Sequence, residues 1–129
     1  MVYIVDTHTL IWFLEGSGKV GPQALKILKD SNQGLVIPSI VLAEVKYLSA
    51  RGRVYLSLDE VFEAVEHDPR CVIYPLDPSV IEMMPTTLDI HDGIICGTAL
   101  LYQDSLGEEA KVITNDKAII ESGIIQTVW

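Results

Sequence analysis

Four short, nearly all-apolar runs constrain this chain most: Val2–Asp6, Gly34–Pro38, Cys71–Leu76 and Lys111–Thr114. Each is too short to form a buried helix, and a run without polar alternation reads as a strand covered on both faces. The stretches between them have helical character. Thr7–Glu15 and Pro22–Lys29 read as helices, and Ser39 is expected to cap a helix through about Ala50, which Gly52 ends. Ser57-Leu58-Asp59-Glu60 fits the capping-box pattern and starts a helix to about His67. Asp77-Pro78 opens another, with proline at the first helical position, and Ile90–Gln103 and Asp116–Glu121 follow. Ile124–Trp129 is a candidate fifth strand. Alternation of this kind implies right-handed crossovers. The expected fold is a three-layer α/β sandwich with a mostly parallel central sheet of four or five strands flanked by helices, in one domain over residues 1–129.

In such sheets ligands bind beyond the carboxyl ends of the strands. That makes the acids at those ends worth following. Asp6 terminates the first run, and Asp116 follows the fourth within Thr114-Asn115-Asp116. Glu44, in Leu42-Ala43-Glu44-Val45, falls at the margin of its helix's apolar stripe, beside Val41 and between Ile40 and Leu48. A carboxylate facing a sheet is costly unless paired or metal-bound. Asp92, in Asp89-Ile90-His91-Asp92-Gly93, stands in the first turn of an apolar helix whose N-terminus favours negative charge, and Asp89 is placed to cap that turn. Each acid also has an ordinary reading: Asp6 in a strand-to-helix turn, Asp92 and Asp116 as helix-start acids, Glu44 paired with a lysine. Together at one edge they would repel unless cations bind. All-oxygen donors suit Mg²⁺ or Mn²⁺ better than zinc, and such ions can activate water against a phosphodiester.

The charge balance is consistent with that idea and limits it. The net charge of −9 argues against a broad basic surface for nucleic acid, though not against an acidic site that holds cations. Discounting four negative charges from −9 leaves −5, so contact with a polyanion should be local and metal-centred. At 49% hydrophobic residues the chain is not disordered, and such an apolar small domain often buries surface against a partner or a second copy. No run is long enough to span a membrane, and the strand-like N-terminus lacks a basic leader. The chain is expected in the cytoplasm, with Cys71 and Cys96 reduced core residues.

The ordered motifs Val5-Asp6-Thr7-His8, Leu42-Ala43-Glu44-Val45, Asp89-Ile90-His91-Asp92-Gly93-Ile94-Ile95 and Val112-Ile113-Thr114-Asn115-Asp116 resemble the PIN-domain nucleases, most nearly the VapC-type toxins of toxin–antitoxin pairs. The resemblance runs from Asp6 to Asp116. It implies a Mg²⁺- or Mn²⁺-dependent endoribonuclease with Asp6, Glu44, Asp92 and Asp116 as catalytic and metal-holding residues, and Thr114 as a hydroxyl near the site. It further implies RNA as substrate, 5′-phosphate and 3′-hydroxyl products, a homodimer, and a small cognate antitoxin that fills the acidic site. Family members often carry arginine after the third acid, where this chain has Gly93. Any arginine-dependent part of substrate binding or control is therefore in question.

Other side chains receive plainer expectations. His8 and His91 are assigned to helix-start hydrogen bonding and His67 to a surface helix end. Trp12 and Phe13 are assigned to core or dimer contacts rather than base stacking. Lys46, Arg51 and Arg53 form a local basic group that serves RNA phosphates or simply faces solvent. Two other functions compete. A catalytically weak PIN-fold binding module would act through its dimer or antitoxin surface, and Gly93 keeps that alternative open. A receiver-like phospho-acceptor wants an acidic pair at strand one, an acceptor Asp after strand three and a Lys after strand five. Here strand one offers a single acid and strand three ends Tyr74-Pro75-Leu76, so the fit is poor.

Overall fold

The computed structural model describes residues 1–129. Its strands are β1 (Val2–Val5), β2 (Gly34–Pro38), β3 (Cys71–Tyr74), β4 (Ala110–Ile113) and β5 (Thr127–Val128). All neighbours pair in parallel, in the order β3-β2-β1-β4-β5. The helices are α1 (Thr7–Leu14), α2 (Pro22–Lys29), α3 (Ser39–Ala50), α4 (Leu58–Glu66), α5 (Pro78–Met83), α6 (Ile90–Leu100) and α7 (Lys117–Ser122). The expected α/β layering is the observed one. No helix is long and apolar enough to cross a membrane.

The chain builds outward from β1 through β2 to β3, then returns to the other side of β1 for β4 and β5. The strand order thus reverses between β1 and β4, the kind of position at which the helices part and leave a crevice. The central strands are buried throughout: Ile4, Val5, Val36, Ile37, Val112 and Ile113 are 0–2% exposed. This is why their sequences run apolar without alternation. A smaller cluster of Val80, Ile94 and Leu101 joins α5 to α6.

Local chemistry sets most element ends. Ser57 and Glu60 form the anticipated capping box on α4, and Asp77 caps α5 just before Pro78. Four expected boundaries move. The third strand stops at Tyr74, because Pro75 has no N–H for the ladder. The fourth is Ala110–Ile113, which leaves Thr114 just past the strand tip, and the fifth shrinks to Thr127–Val128. The helix expected over Ile90–Gln103 is regular to Leu100 and then widens into a π-helical turn, Leu101–Ser105. Ser39 is not a cap. Pro38 holds that place, and the Ser39 hydroxyl instead accepts the Leu76 N–H at 3.0 Å, tying the head of α3 to the chain leaving β3.

Helix α6 lies unusually close to the segment after α5. A Cβ on Gly93 would stand 2.7 Å from the Pro85 carbonyl oxygen, and one on Gly97 would stand 2.9 Å from Met84 Cα. Only hydrogen fits at those two positions. Gly93 is therefore a packing residue, and no side chain at that position reaches out towards a ligand.

Candidate active site

A cleft of about 430 Å³ opens at the carboxyl edge of the sheet, lined by residues that include Asp6, Glu44, Asp92 and Asp116. All four acids singled out from the sequence therefore meet in one place. Asp89 is a fifth acid on the same wall, and no lysine or arginine lines it.

Asp6 sits directly beyond β1 and caps α1: its Oδ1 accepts the Thr9 N–H at 2.9 Å. It is only 8% exposed. Its other oxygen accepts a hydrogen bond from the Thr114 hydroxyl beyond β4, and that hydroxyl in turn accepts the Asp116 N–H at 3.0 Å. One buried threonine thus links the two strand tips on either side of the crevice. Burial pushes the Asp6 pKa up, and the hydrogen bonds from Thr114 and Thr9 oppose that rise.

Asp116 caps α7 by accepting the Ile119 N–H at 3.1 Å through Oδ1. Its ordinary role as a helix-start acid and its place in the cleft are therefore both real. Glu44 reaches in from α3, with its side chain 23% exposed. It pairs with no lysine. Its Oε1 accepts the Thr7 hydroxyl at 2.9 Å, and its Oε2 stands 3.7 Å from Nδ1 of His91.

Asp92 stands in the first turn of α6, its backbone N–H bonded to the Asp89 carboxylate at 3.0 Å as expected of a cap. Its carboxyl is half-buried and its pKa is pushed up to about 6, first by burial and then by repulsion from Asp116, Asp89 and Glu44. An acid with a pKa this far up is a common mark of a working site.

Two expectations about neighbouring side chains change. His8 and His91 do not make helix-start hydrogen bonds. His91 turns its ring towards Glu44, and His8 lies on the cleft wall with its ring 5.5 Å from that of Trp12. Phe13 packs against the core as expected, but Trp12 also lines the cleft. Lys46, Arg51 and Arg53 are exposed and do not line it, and Arg51 lies over the Tyr47 ring at 4.3 Å. His67 ends α4 at the surface, and both cysteines are free.

The donor set fits a hard divalent cation. Carboxylate oxygens dominate it; His8 and His91 also line the cleft, but no thiolate does, and no lysine or arginine neutralises the acids. No three His, Cys, Asp or Glu side chains are drawn into a ready-made cage. What is fixed is the orientation of individual acids, by Thr114 and Thr9 on Asp6 and by Thr7 on Glu44.

The profile of the PIN domain family matches residues 3–123. No curated protein matches the sequence. Among solved structures the chain is similar to one described as VapBC2 from Rickettsia felis bound to a DNA fragment from their promoter. The two are 16% identical, with a TM-score of 0.67, over 99% of this chain and 98% of that one. At that identity the likeness bears on the fold.

Proposed function

The chain belongs to the PIN domain family, and from that premise we propose that it is a Mg²⁺- or Mn²⁺-dependent endoribonuclease, the toxin of a toxin–antitoxin pair. The observation that carries the reading is the meeting of Asp6, Glu44, Asp92 and Asp116 in one cleft with no lysine or arginine in its lining. These four are the residues that would hold the cation. When bound, the cation supplies activation of water and neutralisation of charge at the scissile phosphodiester.

The chain's own residues do the positioning. Thr114 and Thr9 fix the Asp6 carboxylate, and Thr7 fixes that of Glu44. In the protein alone, burial and the neighbouring acids push the Asp92 pKa up to about 6, and a bound cation would favour its ionised form. The N-terminus of α6 contributes positive potential towards the same space.

The partner readings follow the same premise. One neighbour of known structure is a VapBC2 assembly, which supports a small cognate antitoxin as the partner here. An antitoxin segment carrying a cation would find an acidic, lysine-free cleft to fill. Exposed Val72, Leu76, Ile81 and Ile90 support burial of apolar surface in a homodimer. A cytoplasmic location belongs to this reading as well.

Incubating purified protein with single-stranded RNA and Mn²⁺ tests the activity. Cleavage leaving 5′-phosphate ends, abolished by EDTA and lost in Asp6→Asn, is the expected result. Cleavage that persists unchanged in Asp6→Asn would point to a contaminant and defeat the reading.

A further inference from the structure

Trp12 stands on the wall of the acidic cleft, although its sequence position on an apolar helix suits a core residue. Its indole is not sealed off. It is half-buried, packed on one side against the core and reaching the cleft on the other. Its orientation is held from outside α1: the Trp129 ring meets it edge-on, with centroids 6.0 Å apart and planes at 66°. Trp129 in turn sits where only a glycine lets it, because a Cβ on Gly21 would be 2.5 Å from the Trp129 carbonyl carbon. His8, one helical turn before Trp12 and on the same face, also lines the cleft. The Lys19 ammonium lies 5.5 Å from the Trp12 ring centroid.

The cleft needs such a group. None of its lining residues is a lysine or arginine, and the whole chain carries −9. The charge pairing that usually holds nucleic acid is therefore missing from the walls. A neutral aromatic face holds a base without needing charge, and every base has a face to stack. Six residues separate Trp12 from Asp6, a rise of about 9 Å along α1. The indole is thus beside the carboxylate cluster and not within it, suited to a nucleotide adjoining the reacting phosphate.

Resting on the ribonuclease reading above, we infer that Trp12 is a stacking platform for an unpaired base of single-stranded RNA flanking the cleavage point. Trp129 braces the ring, and the Lys19 ammonium that lies over it swings aside as the base stacks, staying within reach of that nucleotide's phosphate. Substrate must then be unpaired next to the cut, because a base within a duplex offers no free face.

Two measurements test the platform. In the first, wild type, Trp12→Ala and Trp12→Phe cleave an RNA oligonucleotide with Mn²⁺, alongside versions with a single abasic nucleotide at each position near the cut. Trp12→Ala is expected to lower kcat/KM by about 5- to 150-fold, and Trp12→Phe to recover most of it. One abasic position should slow the wild type but leave Trp12→Ala unaffected. A purely structural tryptophan would give no such coupling, and equal abasic penalties in both proteins overturn the inference.

In the second, Trp129→Phe leaves Trp12 as the only tryptophan. Its fluorescence is followed as the oligonucleotide is added with Ca²⁺. Saturable quenching by RNA, absent with fully abasic RNA, supports the platform, while equal quenching by both overturns it. Quenching without any Mn²⁺-dependent cleavage would remove the nuclease reading and keep the platform. Cleavage without quenching or abasic coupling would remove the platform alone.

Discussion

Replacing Asp92 with asparagine should stabilise this protein while disabling its site. The half-buried Asp92 carboxyl has its pKa pushed up to about 6 from an ordinary 3.8, by burial first and by Asp116, Asp89 and Glu44 next. The folded state therefore holds this proton more tightly than the unfolded chain does. The stability this gives is complete below pH about 4 and is lost as pH rises through about 6. A shift of roughly two units corresponds to at most about 3 kcal/mol, and solvent screening of a half-buried group reduces that to about 1 kcal/mol. Asparagine carries no charge at any pH and so avoids the loss. In EDTA, Asp92→Asn should melt about 4 °C above wild type at pH 7.5 and within a degree or so of it at pH 4. Thermal unfolding followed by circular dichroism across that pH range is the assay. A difference that is negative, or the same size at both pH values, would refute the electrostatic argument.

Other perturbations probe the same frame. Thr114→Val removes the fully buried hydroxyl that bonds Asp6 and accepts the Asp116 N–H, and should cost about 1–3 kcal/mol in a urea titration. The loss should grow from pH 4 to pH 8, because that bond lowers the already raised pKa of Asp6; a loss that does not depend on pH would show that the carboxylate is not involved. Gly93→Ala gains about 1 kcal/mol of helix propensity but sets a Cβ 2.7 Å from the Pro85 carbonyl oxygen. Overpacking of this kind costs about 1–3 kcal/mol, so the melting temperature should fall, whereas a rise would mean that Met84–Pro85 yields easily. Mn²⁺ at about 100 times its Kd should stabilise wild type by about 2.7 kcal/mol at pH 7.5 and less at pH 5, where Asp92 is largely protonated. The same shift in Asp6→Asn would place the ion elsewhere.

Much of the site was legible because its acids break local patterns. Asp6 ends an unbroken apolar run, and Glu44 interrupts the inner margin of an amphipathic helix; each position is uncomfortable unless something else compensates. Parallel topology then does the rest, since parallel strands deliver Asp6 and Asp116 to one edge. The contacts that orient these acids left no local trace. Thr7 meets Glu44 across 37 residues of sequence, and Thr114 meets Asp6 across 108. Only the family resemblance marked Thr114, and Thr7 stood in the first motif with nothing to tie it to Glu44. Trp12 was read only in part: it packs against the core as expected and also lines the cleft, because helical periodicity does not separate core from the apolar wall of a cleft. The π-helical turn after Leu100 escaped because Leu101 and Tyr102 are buried and keep an apolar pattern compatible with a continuing α-helix.

Gly93 shows how one position can look like a functional defect when it is settled by packing. Beside Asp92, the resemblance leads one to look for an arginine that offsets the acids or grips phosphate. Here α6 must lie against Met84 and Pro85 closely enough that neither Gly93 nor Gly97 has room for a Cβ. That contact holds the first turn of α6, and with it Asp92 and Asp89, against the rest of the cleft wall. An arginine at 93 would have to push the helix away from this support, moving the carboxylate it was meant to assist. The missing positive charge is thus tied to the geometry that buries Asp92, sets it near Asp116 and Glu44, and so raises its pKa. A cleft built this way depends for neutralisation on what it binds, so the same close packing that excludes an arginine increases the site's demand for a cation.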